Sequence, residues 1–200
     1  MLKREIPVRS YTGERWTTNK TNKKYLAIDF KHRCAYCDDC DSTYNGENSY
    51  AVEHFAPKGK FPHLRYTYDN LLYACSYCNE AKSDDWPSKS PAITVVGECG
   101  YIDPCKREYY DHLDRDDETG RIIFKTELGK YMYEHLNLGL KRHSIIFMLE
   151  KLEEKRNLLE KSIEEDNKRG IDASAKEKVL LIIDKDFFSY YRDLRNIHKE

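Results

Sequence analysis

Long apolar runs are missing from this sequence. No window of its 200 residues approaches the roughly 18 apolar residues of a membrane-spanning helix. The opening MLKREIPVRS lacks the apolar stretch of a secretory signal. Both absences lead to the expectation of a cytoplasmic protein with no membrane partner. A surplus of one charge is missing too: 34 Lys and Arg face 35 Asp and Glu, for a formal net charge of −1. Composition therefore supplies no nucleic-acid footprint, and any such function has to rest on local charge and a site. An even set of cysteines is also lacking, since the seven present cannot all pair. In a reducing compartment, two Cys-x-x-Cys pairs argue for a metal before they argue for disulfides.

Three parts separate along the chain. Residues 1–33 are basic and polar, with nine Lys and Arg (Lys3, Arg4, Arg9, Arg15, Lys20, Lys23, Lys24, Lys31, Arg33) against Glu5, Glu14 and Asp29, a local +6 ahead of the first cysteine pair. A short helix is expected over about 22–31, with Asn22 as its cap. Residues 34–104 hold both cysteine pairs and the polar motifs. They are rich in Gly, Pro, Asn and Tyr and poor in long periodic runs, as suits a small metal-organised domain. Tyr50-Ala51-Val52 is a strand candidate running into Glu53-His54, and Tyr73 onward reads as a turn into a helix that stops near Pro87.

Residues 105–200 are mostly helical after a short strand, Ile122–Phe124, set up by the turn Glu118-Thr119-Gly120. Ile145, Leu149, Leu152, Leu159 and Ile163 form one apolar stripe, interrupted by Arg156. Leu180, Ile183, Phe187, Tyr190, Leu194 and Ile197 form another. With Gly170 as a C-cap and Ser174 with Glu177 as a capping box, these predict helices over about 142–169 and 175–198, folded back as an antiparallel hairpin. Lys and Glu alternate on their outer faces and largely cancel, which describes a solvated surface. The aromatic end Phe187-Phe188-Ser189-Tyr190-Tyr191 carries more apolar surface than one seam needs, so a partner surface and internal packing are both open there.

Cys34-Ala-Tyr-Cys37 and Cys75-Ser-Tyr-Cys78 stand 37 residues apart. Four thiolates are the tetrahedral set that structural zinc prefers, and such a closed site staples without doing chemistry. Cys40, Cys99 and Cys105 are left over, with Cys40 near enough to Cys37 in sequence to compete as a ligand. Around the pairs stand Glu53-His54, Asn70 and Asn79-Glu80-Ala81-Lys82. Phosphodiester hydrolysis needs a base for water, a Lewis acid for the phosphate charge, and something to orient the base. Histidine meets the first need near neutral pH. A carboxylate and an amide oxygen suit Mg²⁺ or Mn²⁺. Asn79 and Lys82, three apart on a helix, would share a face. Tyr36, Tyr66, Tyr68, Tyr77 and Trp86, near the basic segment, offer rings for bases to stack on, but scattered tyrosines are more often structural.

The order C-x-x-C, then Glu53-His54 with Pro57 beyond, Asn70-Leu71-Leu72, and C-x-x-C-N-x-x-K resembles the HNH endonuclease family and its ββα-metal unit. The resemblance implies an α+β fold: a zinc-stapled ββα-metal module with a mostly helical C-terminal part. It implies His54 as general base, Glu53 and Asn79 as ligands of the catalytic Mg²⁺ or Mn²⁺, Asn70 as the brace of the histidine's loop, and Lys82 as a basic position near the phosphate. Glu53 stands where Asp is more usual, and its extra methylene shifts the metal or calls for a bridging water.

Val52–Lys58, Asn70–Cys75, Tyr101–Pro104, Gly120–Ile122 and His135–Leu138 are similar to the small HNH proteins of bacterial anti-phage defence, such as the nuclease component of Septu systems, some of them retron-associated. This softer likeness implies a DNA substrate and an ABC- or SMC-like ATPase partner. Two other functions compete with it. An HNH nuclease acting on RNA would keep the same residues. A non-catalytic zinc-ribbon-like binding module would keep the cysteines but has no need of Glu53, His54 and Asn79 together.

Overall fold

The computed structural model of the chain describes residues 5–11, 19–42 and 46–197. Lys3, Arg4 and Arg15 of the basic segment, the side chain of Lys20, and His198 at the end of the expected hairpin lie outside them. The chain divides into two compact units, Met1–Leu140 and Lys141–Glu200.

In the first unit, helix α1 (Asn19–Asp29) leads to the first cysteine pair. Leu26 and Ala27 bury its inner face in the core, with Phe30 just beyond its end. The helix begins ahead of Asn22, so that residue is a buried interior position with its amide unpartnered and not the expected cap. Strands β1 (Tyr50–His54) and β2 (Leu71–Cys75) pair antiparallel, Tyr50 opposite Cys75 and His54 opposite Leu71. Tyr50 and Tyr73 stack across that ladder at 4.8 Å, a typical cross-strand aromatic pair. Helix α2 (Ser76–Lys82) follows directly. Tyr73 is therefore a strand residue and the turn falls at Cys75. α2 ends before Pro87, because Ser83 takes a left-handed φ of 47° that no helix continues.

The expected boundary near residue 104 does not coincide with the edge of this unit. β3 (Val95–Val96) and β4 (Cys99–Gly100) form a small ladder, and α3 (Tyr109–His112), β5 (Leu113–Arg115), β6 (Ile122–Phe124) and α4 (Glu127–His135) follow. Tyr109, Leu113, Ile122, Met132, Leu136 and Leu138 enter the same core as the cysteines. Arg115 Nη2 donates to the Cys37 carbonyl at 2.6 Å, and Tyr109 OH to that of Tyr36 at 3.1 Å. The stretch from 105 to 140 thus buttresses the first cysteine loop. The β5–β6 turn closes through Gly120, whose φ of 69° suits glycine best.

The second unit contains α5 (Lys141–Lys168) and α6 (Ser174–Asn196). Gly170, φ 69°, ends α5 in the left-handed conformation expected of a C-cap. The Ser174 capping box does not form. Asp172 takes that place, accepting from the Ser174 N–H at 2.9 Å and from its hydroxyl at 3.1 Å. Arg156, the interruption in the first stripe, is absorbed by Asp184 and Glu160, each at 2.8 Å. Lys141 pairs with Asp193 at 3.8 Å, and Lys176 with Asp166. Partners later in α5 therefore meet residues earlier in α6. Among the described residues no helix is long and apolar enough to cross a membrane.

Candidate active site

Cys34 and Cys37 sit on a tight loop after α1. Cys75 ends β2 and Cys78 lies in α2, so one strand-to-helix turn delivers the second pair. The Ala35 N–H donates to the Tyr73 carbonyl at 2.7 Å, docking the loop on β2. All four cysteines are buried and none is in a disulfide. Four sulfurs around a tetrahedral zinc at about 2.3 Å stand about 3.8 Å apart. Cys37 Sγ and Cys75 Sγ are 3.8 Å apart, and all four sulfurs lie within 4.8 Å of one another. Residue type, burial and spacing fit a closed zinc-binding cluster. Cys40 is outside it, its sulfur 2.9 Å from the Ser42 hydroxyl.

Beside the cluster, β1 and α2 form the walls of an open cleft of about 460 Å³ lined by Glu53, His54, Lys58, Asn79, Glu80 and Asp84, among others. Alternation would send Glu53 and His54 to opposite faces of a continuing strand. At the end of β1 both reach the cleft, and Asn79 faces it from α2. Asn79 is anchored in register by Cys78, its chain neighbour in the zinc cluster.

His54 is largely buried, and its Nε2 lies 3.0 Å from the Arg65 carbonyl oxygen. A carbonyl only accepts, so Nε2 carries the proton and Nδ1 keeps the lone pair. Burial lowers the imidazole's pKa to about 4, and the charges of Lys58, Arg65 and Lys82 push in the same direction. The ring is therefore neutral, the form a proton acceptor requires.

Asn70 lies just before β2, and its side chain spans the base of the loop between the strands. Oδ1 accepts from the Ala56 N–H at 2.8 Å, while Nδ2 donates to Ala56 O at 3.0 Å and Leu64 O at 3.4 Å. It thereby fixes the loop that supplies the Arg65 carbonyl. Asn70→Ala would leave both Ala56 backbone groups without these partners. An unsatisfied buried group costs about 1–3 kcal/mol, so the variant is expected to melt several degrees lower with its zinc content intact. An unchanged melting temperature would show that the clamp carries no energy.

Lys82, expected near a substrate phosphate, is buried in the structure. Its side chain is 0 % exposed and does not line the cleft. The last turn of α2 drives the stem inward beneath β1. There Nζ meets Glu53 Oε1 at 2.9 Å and the His54 carbonyl at 3.3 Å. The Tyr101 and Trp86 rings stand 5.3 and 5.9 Å away. Glu53 Oε1 also lies 3.4 Å from the hydroxyl of Tyr36, the residue inside the first cysteine pair. Burial raises the Glu53 carboxyl above its usual range, with the Lys82 charge pulling the other way.

Lys58, Glu80, Ser83 and Asp84 line the cleft without having been singled out from the sequence. The only signal for Glu80 and Asp84 was their nearness to Asn79; Lys58 lay within a quoted motif. Of the basic segment, Arg9 is held by Asp103 at 2.9 Å and the Leu71 carbonyl at 2.9 Å, and Arg33 by the Asp38 carbonyl at 2.8 Å. Both work inside the fold.

Compared with known families, residues 34–85 match HNH endonuclease. The match runs from the first cysteine pair past the second and takes in Glu53, His54, Asn70, Asn79 and Lys82. Among curated proteins, none matches the chain. Residues 34–85 are therefore an HNH endonuclease domain with a zinc-binding four-cysteine cluster.

Proposed function

We propose that the protein is a divalent-cation-dependent endonuclease that hydrolyses phosphodiester bonds in DNA, through a zinc-stapled ββα-metal module formed by β1, β2 and α2 within residues 34–104. One observation carries the reading: a histidine held through Nε2 lines one cleft with a carboxylate and an amide. His54 Nδ1 takes the proton of the attacking water. Asn70 keeps the histidine's loop in place, and through it the carbonyl that sets the tautomer. Glu53 and Asn79 offer the oxygens of a hard-cation site. Bound there, Mg²⁺ or Mn²⁺ supplies Lewis acidity for charge on the phosphate and leaving oxygen. Zinc at Cys34, Cys37, Cys75 and Cys78 ties the loop after α1 to the start of α2. Supercoiled, linear and single-stranded DNA, with RNA of matched sequence, test the substrate class. Cleavage of RNA alone would overturn the DNA assignment while leaving the chemistry standing.

The biological setting proposed is the nuclease effector of an anti-phage complex with an ABC-type ATPase, and the antiparallel hairpin of α5 and α6 is its contact. Leu158, Val179, Leu181, Ile182, Phe188 and Tyr191 are exposed there, and exposed apolar side chains gathered on one element are what a protein-protein contact uses. Leu181→Glu with Phe188→Glu is expected to abolish co-purification of the ATPase, with melting temperature unchanged because both side chains are exposed. Undiminished co-purification would place the interface elsewhere.

A further inference from the structure

We propose that Lys82 is a positioning residue for Glu53, holding one carboxylate oxygen from below the cleft so that the other is presented to a divalent cation, and that it touches no substrate. The inference rests on the reading of Glu53 and Asn79 as a cation site.

The geometry around Nζ is that of a completed site. It has an ion-pair partner at 2.9 Å, a backbone carbonyl at 3.3 Å and two aromatic faces. Lys82 shows no exposed side-chain surface and Glu53 only 6 %. A buried ammonium is tolerated only with such partners, and they leave it no path to a phosphate in the cleft. The rings are fixed in turn: Tyr101 OH and Tyr131 OH both donate to Asp85 Oδ2 at 2.6 Å, and Trp86 Nε1 to the Ser90 carbonyl at 3.0 Å.

Glu53 is flexible by one methylene more than aspartate, and its Oε1 receives both Lys82 Nζ and the Tyr36 hydroxyl. That double hold removes the extra freedom. The remaining oxygen is the one left for the cleft, so Glu53 serves as a one-oxygen ligand where an unpinned glutamate would offer two. The lysine at the end of C-x-x-C-N-x-x-K thus acts through the ligand one strand away.

A double-mutant cycle on the zinc-loaded protein tests this, with Mn²⁺ affinity measured by calorimetry and binding to a short DNA duplex measured at several salt concentrations. Lys82→Met is expected to weaken Mn²⁺ binding roughly tenfold. In a Glu53→Gln background, already weak for Mn²⁺, the same change should have no further effect, because coupled residues are non-additive. The salt dependence of duplex binding should be unchanged by Lys82→Met in either background, whereas loss of a phosphate contact lowers the slope by about one. If either single variant leaves its buried partner too poorly paired to fold, comparing the wild type with Glu53→Gln/Lys82→Met still gives the slope, since neither of these leaves an unpaired buried charge. A lowered slope, or equal Mn²⁺ losses in both backgrounds, overturns the positioning role. Wild-type Mn²⁺ affinity in Lys82→Met overturns it too. Mn²⁺ binding indifferent to Glu53→Gln instead removes the cation site itself, and the inference with it.

Discussion

Replacing His54 with alanine is expected to slow single-turnover DNA cleavage about 10²–10⁴-fold, the usual contribution of a positioned proton acceptor, while zinc content and fold are retained. The separation follows from what the side chain touches: one backbone carbonyl on one side and the cleft on the other. A histidine kept for structure alone would show the opposite, a lower melting temperature with full activity per folded molecule. The pH response sharpens the distinction. Burial holds the folded imidazole near 4, against 6.5 for an ordinary histidine. The His54-dependent rate should therefore not titrate away between about pH 8 and about pH 5. Between 6.5 and 4 the unfolded chain binds the extra proton, so stability should fall as pH is lowered through that window. His54→Gln should flatten that part of the profile. Loss of the His54-dependent rate with a midpoint near 6.5 would mean that the ring is not held neutral by its surroundings.

Serine at any one of Cys34, Cys37, Cys75 or Cys78 is expected to release zinc and unfold the first unit. Binding free energies of structural zinc run to about 10–16 kcal/mol, as large as the whole reserve of a typical domain, about 5–15 kcal/mol. The four cysteines lie in the same core as Tyr36, Tyr50, Tyr73 and Tyr109. Elemental analysis and circular dichroism of the Cys75→Ser protein decide the point. Native-like folding without zinc would show that the cluster is an ordinary set of buried thiols. Cys99→Ser is the control: that residue is exposed and outside the cluster, so zinc content and fold should not change.

Much of the site was legible because its chemistry is written in residue type and short spacing. Two cysteine pairs specify a tetrahedral thiolate set, and Glu53-His54 at the end of a short strand candidate announces two polar side chains where a strand stops. The strand Ile122–Phe124 and the Gly170 cap were legible for the same local reasons. Lys82 was not. Helical spacing places it near the face of Asn79 but cannot tell whether a neighbouring strand covers it, and β1, Trp86 and Tyr101 do. Asn22 and Ser174 were read as caps because such residues favour helix starts. Tertiary packing carried α1 past the first, and Asp172 displaced the second. The placement of residues 105–140 with the cysteine domain depends on long-range bonds such as Arg115 to the Cys37 carbonyl, which no local pattern records.

We propose above all that the cleft of Glu53, His54 and Asn79 cuts nucleic acid with a divalent cation. It is tested most directly by titrating Mn²⁺ into zinc-retaining protein dialysed free of other cations and following single-turnover cleavage of supercoiled DNA. The expected result is no product without the ion and saturable nicking and linearisation as it is added, with the midpoint shifted to higher Mn²⁺ in Glu53→Gln. Cleavage that proceeds equally without the ion, or a midpoint that Glu53→Gln leaves in place, would contradict the claim.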